Sequence, residues 1–88
     1  MRDRELLEDL TQDTSTRFVV FTAGNHRFEL ALLQAEFFQD QIMVIDLQGY
    51  HHGLLDQHNI NETGYLEHVF QLSQMEAEEL RRYLQDLL

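Results

Sequence analysis

The sequence contains no cysteine, no proline and no lysine in its 88 residues, and each absence closes off a class of explanation. Without cysteine there is no disulfide framework, no thiolate zinc site and no thiol nucleophile, so the core must hold the fold by itself. Without proline there is no proline-rich linker, and no internal repeat divides the chain. Its six basic residues are all arginine and stand against sixteen aspartates and glutamates, a formal net charge of −10. A chain so charged repels a phosphate backbone, which argues against nucleic acid as a partner. The acids are spread over both ends and the middle and read as a solvated surface. Apolar runs such as residues 42–45 fall far short of the roughly 20 residues that cross a bilayer, and no basic segment followed by an apolar run opens the chain. No glycine-rich phosphate loop, nucleophile elbow or metalloprotease helix is present. These absences lead to the expectation of a cytoplasmic protein with no membrane association and no cofactor.

What is present suffices for one core. Hydrophobic residues make up 43% of the chain and six of its aromatics are phenylalanine, enough to fold rather than remain disordered. A chain of this size buries only roughly 60 to 65% of its unfolded surface, which allows a single domain. Residues 1–15 read as a helical turn or flexible tail, because Leu6, Leu7 and Leu10 recur at helical spacing but a polar run follows at once. Residues 16–88 read as the domain.

Within that domain the β-branched and aromatic residues of 17–22 predict a strand, and Gly24 and Asn25 supply the turn of a hairpin. Residues 26–33 return, with Phe28, Leu30 and Leu32 on one face and Arg27, Glu29 and Ala31 on the other. Phe37 and Phe38 are expected to cover one end of the core. Residues 41–48 form the most apolar segment and should be central, and residues 50–55 return as a short strand with a bulge at Gly53. Residues 56–64 are a polar loop. Residues 65–72 alternate Leu66, His68, Phe70 and Leu72 against the rest, which predicts a further strand. Ser73-Gln74-Met75-Glu76 then spells a capping box, followed by the stripe Ala77, Leu80, Leu84 and Leu87 of an amphipathic helix. The pattern amounts to an α+β domain, an antiparallel sheet of four to five short strands with the C-terminal helix packed on one face.

The strings Thr16-Arg17-Phe18-Val19-Val20-Phe21, His26-Arg27-Phe28-Glu29-Leu30-Ala31 and Val44-Ile45-Asp46-Leu47-Gln48-Gly49 are distinctive in combination. With Gly64-Tyr65-Leu66-Glu67-His68-Val69-Phe70-Gln71-Leu72 and Glu76-Ala77-Glu78-Glu79-Leu80 they resemble domain of unknown function 3055, a family of small proteins from Gram-positive, largely spore-forming bacteria. The resemblance implies a cytosolic protein of about this length and carries over no activity, substrate or catalytic residue.

Two groups of residues invite a chemical reading. His51, His52, Asp56 and His58 lie close in sequence and could supply imidazole and carboxylate ligands to a metal. Adjacent residues on a strand point to opposite faces, however, so the plainer reading is exposed polar histidines in a hairpin and loop. His68 falls in register with Leu66 and Phe70, which predicts a core histidine that Glu67, Asp46 or Tyr65 could serve as acid-base partner. Asp46 interrupts an apolar strand, and pairing with Arg17 or Arg27 from a neighbouring strand is the simplest account. The leading function is a non-catalytic protein-interaction or regulatory module whose partner is another protein, with a homodimer expected from the aromatic richness. The alternative is a metal- or small-ligand-binding protein, an enzyme included, that uses its histidines.

Overall fold

The computed structural model describes residues 4–88; residues 1–3, where the expected N-terminal helical turn or flexible tail begins, lie outside the described part. From Arg4 to Thr14 the backbone has no regular secondary structure, so no helical turn forms there. Strand β1 (Ser15–Ala23) turns at Gly24 and Asn25 into β2 (His26–Gln34), in unbroken antiparallel register from Ser15 opposite Gln34 to Ala23 opposite His26. Only Gly24 of the turn pair takes a positive φ, at 60°, where a residue without Cβ sits unstrained. A 3-10 turn at Glu36–Phe38 leads to β3 (Ile42–Asp46), which pairs with β2 and with β4 (His52–Leu55). The sheet has four strands in the order β1-β2-β3-β4, all antiparallel. A second 3-10 turn at Asn59–Asn61 precedes helices α1 (Tyr65–Phe70) and α2 (Gln74–Gln85). This is the expected α+β architecture, with four strands and one helix more than the sequence suggests.

The additional helix replaces the strand expected at 65–72. Leu66 and Phe70 are four residues apart, a spacing that lines one face of a helix as readily as one face of a strand, and both are buried. The backbone at each end decides between them. Gly64 (φ 80°) and Gln71 (φ 55°, ψ 50°) are both left-handed, and the Leu72 amide donates to the Glu67 carbonyl at 3.0 Å in the manner of a Schellman stop. Six residues are too few for a helix to persist unaided, so packing maintains this one. Val69 rests on Gly53 of β4, where an added Cβ would come within 3.0 Å of Val69 Cγ1. Gly53 therefore makes room for α1, and the ladder passes through it opposite Val44 without the expected bulge.

Helix α2 starts where the capping box places it. The Glu76 amide donates to Ser73 Oγ at 3.1 Å, and the Ser73 amide donates to Glu76 Oε1 at 3.0 Å. Its stripe Ala77, Leu80 and Leu84 is buried against Phe28, Leu30 and Leu32 of β2, Ile42 and Val44 of β3, Leu55 of β4, and Ile60, Leu66 and Phe70. Phe21 of β1 stacks between Phe28 (centroids 5.0 Å apart) and Tyr83 (4.2 Å), closing the core on the hairpin side. Phe37 and Phe38 do not cover the core: Phe37 is exposed and Phe38 half-buried, beyond the end of the sheet on the 3-10 turn. The polar loop is pinned rather than loose. Asp56 Oδ1 accepts from the His58 and Asn59 amides, Asn59 returns a bond to the Leu54 carbonyl, and Ile60 is fully buried beneath them.

Candidate interaction surface

Strand alternation puts every second residue of the sheet on the face away from the helices. Cross-strand register then sorts these residues into rows. One row runs Thr16, Leu33, Met43, Leu54; the next runs Phe18, Ala31, Ile45, His52; Val20 lies opposite Glu29 beside them. Phe18 is 73% exposed and Val20 56%. Leu33, Met43, Ile45 and Leu54 beside them are half-buried. Around this apolar centre stand Thr16, Thr22, His52 and the Arg27–Glu29 pair, whose Nε and Oε2 are 2.9 Å apart. An apolar centre within a polar rim is the anatomy of a protein interface. In sequence the signal was the alternation of β1, which places Phe18 and Val20 opposite in phase to Val19 and Phe21.

The histidines are not gathered into a site. His68, expected inside, is exposed on α1, because a helix turns residue 68 about 200° from Leu66 where a strand would return it to the same side. No side-chain hydrogen bond or ion pair among the described residues joins it to Glu67, Asp46 or Tyr65; Tyr65 packs half-buried against the core instead. His51 is half-buried, while His52 and His58 are exposed on β4 and in the following loop. Among the described residues no three of His, Asp and Glu stand close enough to hold one metal ion.

Asp46 does not pair with Arg17 or Arg27, the latter being engaged by Glu29 on the opposite face of the sheet. It organises the turn between β3 and β4. Its Oδ1 accepts from the Gln48 amide at 3.0 Å, and its carbonyl accepts from Tyr50, which is held at φ 63°. A Cβ on Gly49 would lie 2.9 Å from both Asp46 Oδ2 and His51 Nδ1, so a side chain there would have to displace one of those two groups. His51 Nδ1 is buried there without a hydrogen-bond partner in the protein.

Sequence reasoning missed one polar link. His26 Nδ1 lies 2.9 Å from Glu76 Oε2, with the imidazole set edge-on to the Phe28 ring at 4.3 Å. The capping carboxylate of α2 is thereby tied to the first hairpin. Hydrogen bonds from Ser73 and the charge and bond of His26 hold the Glu76 carboxyl below the usual range, and its partial burial opposes them. The Asn59 amide, followed by Gln41 and His58, does the same for Asp56. The Arg81 side chain, assisted by Arg82, does so for Glu78. These are contacts that stabilise the fold and lie away from the uncovered face.

The chain belongs to the SAV0927-like family, whose model matches residues 7–86. No curated protein matches it.

Proposed function

We propose that this member of the SAV0927-like family is a non-catalytic protein-interaction module of the cytoplasm that works as a homodimer through the uncovered face of its sheet. The observation that carries this reading is the exposure of Phe18 and Val20 on a face whose other apolar members, Leu33, Met43, Ile45 and Leu54, form one continuous patch with them. Leaving such a patch in water is costly, and a second copy is the one partner always present at the chain's own concentration. The absence of cysteine and the charge of −10 accord with a reducing, aqueous compartment. Multi-angle light scattering tests the reading. The expected mass is twice the 10.5 kDa of the chain, reverting to a single chain in Phe18→Asp. A wild-type monomer at micromolar concentration overturns it.

A further inference from the structure

Strand β1 forms one margin of the sheet, and among the described residues no strand lies on its outer side. Its nine residues run without proline or bulge, and Arg17 is its one charge. Which backbone groups point outward follows from the ladder. The two-residue turn at Gly24 and Asn25 closes on Ala23 and His26, which such a turn makes a hydrogen-bonded pair. Alternation along the unbroken register then turns the N–H and C=O groups of Thr16, Phe18, Val20 and Thr22 away from β2. The far side of β2 agrees: the carbonyl of Glu29, the residue opposite Val20, accepts from the Leu47 amide at 2.8 Å and so points away from β1.

The same margin holds the most exposed apolar residues of the uncovered face. Ala31 and Ile45, flanked by strands on both sides, are buried and half-buried, whereas Phe18 in the same row is 73% exposed. A strand laid beside β1 would flank Phe18 and Val20 on their open side. Long, regular open edges of this kind accept another strand. Strand β4, the opposite margin, has only four residues, Gly53 among them.

We infer that β1 pairs with β1 of a second copy, antiparallel about a two-fold axis at Val19, so that two sheets become one. The inference rests on the self-association proposed above and places its seam at the β1 margin of the uncovered face. Val19 is the midpoint of Ser15–Ala23, so this register overlaps the two strands along their whole length. It sets Phe18 opposite Val20 of the second copy and Thr16 opposite Thr22, and these are the residues whose backbone groups point outward. Aromatic with β-branched and threonine with threonine are both favourable pairs across strands. Each Arg17 falls opposite Phe21 of the other copy, and the two arginines stand about 13 Å apart along the strands, so they do not oppose each other. Joined about a two-fold axis the β1 edges satisfy each other and the assembly closes, where β1 on β4 would continue without end.

Two measurements on the full chain test the seam. Val19→Cys and Val20→Cys each place a single cysteine in a chain that has none. At the seam the two residues 19 form a non-hydrogen-bonded pair with Cα atoms about 4.5 Å apart, a separation a disulfide spans. The two residues 20 lie on a diagonal of about 7–8 Å, which a disulfide does not span. Mild oxidation should therefore link Val19→Cys chains into a covalent dimer and leave Val20→Cys chains largely unlinked. Two faces packed over one another give the reverse, because Val19 packs toward the core and Val20 stands on the face. The second measurement is amide exchange of the wild type, in which the Phe18 and Val20 amides should slow about tenfold or more as rising concentration forms the dimer. Linking through Val20→Cys alone, without slowed exchange, rejects the seam and spares a homodimer through the face. Slowed exchange without Val19→Cys linking rejects the two-fold register and with it the seam. Val19→Cys linking without slowed exchange reports collision only and also rejects it. A wild-type monomer rejects both readings.

Discussion

Gly53 shows how a single missing side chain positions an element. Its Cα lies beneath Val69, and the methyl group of Gly53→Ala would meet Val69 Cγ1 at 3.0 Å. The expected cost is about 1–3 kcal/mol, as for other overpacked sites, read as a lower urea midpoint at unchanged slope. Gly24→Ala meets no atom within 4 Å but must hold φ at 60°, so about 1 kcal/mol is expected there from backbone strain alone. His68→Ala should change stability by less than about 0.5 kcal/mol because the ring is exposed on α1; a loss several times larger in the same urea titration would mean that the ring is packed inside. His51, His52 and His58 stand apart, so protein purified without a tag should carry less than stoichiometric zinc, nickel or iron by elemental analysis.

At the scale of elements, α2 is specified locally and α1 is not. Ser73→Ala removes the acceptor for the Glu76 amide and should cost about 1 kcal/mol, measured by thermal or chemical denaturation. The same carboxylate enters the pH dependence. Asp56, Glu76 and Glu78 titrate below their unfolded values, so over that interval the unfolded chain binds more protons than the folded one. Stability contributed by these groups is complete above the unfolded carboxyl pKa and is lost as pH falls through the lowered folded values. The melting temperature should therefore drop on acidification through the carboxyl range, and the drop should be shallower in Asp56→Asn; an unchanged slope in that variant would deny Asp56 its part. Helix α1 was illegible because Leu66 and Phe70 satisfy both periods, and because its stop at Gln71 uses a residue that carries no turn signal in sequence. The β1-β2 hairpin was legible because alternation, Gly24 and Asn25 all agree.

For the whole molecule, the balance lies between an apolar face and a charge of −10 per chain. If that face joins two copies, association has to overcome mutual repulsion, and salt screens repulsion beyond about 10 Å at 0.1 M. The dimer should therefore tighten as sodium chloride is raised from low concentration, in contrast to an interface made of ion pairs, which would loosen. Sedimentation at several ionic strengths distinguishes the two. The composition of this face could be listed from the alternation of β1 and β2, but not its exposure. Exposure depends on which side both helices occupy, and α1 was read as part of the sheet.

By itself the sequence determined the hairpin, the central apolar strand, the boundary and buried stripe of α2, and the α+β class. Each of these is written in neighbours a few residues apart, through alternation, turn residues or a capping box, where local energetics suffice. Only the tertiary structure decided that residues 65–70 form a helix, that Gly53 and Gly49 keep space for Val69 and for the Asp46 and His51 side chains, that His26 reaches Glu76, and that His68 faces water. Those outcomes depend on contacts between segments distant in the chain, and local spacing that fits two periods equally well leaves the choice to packing.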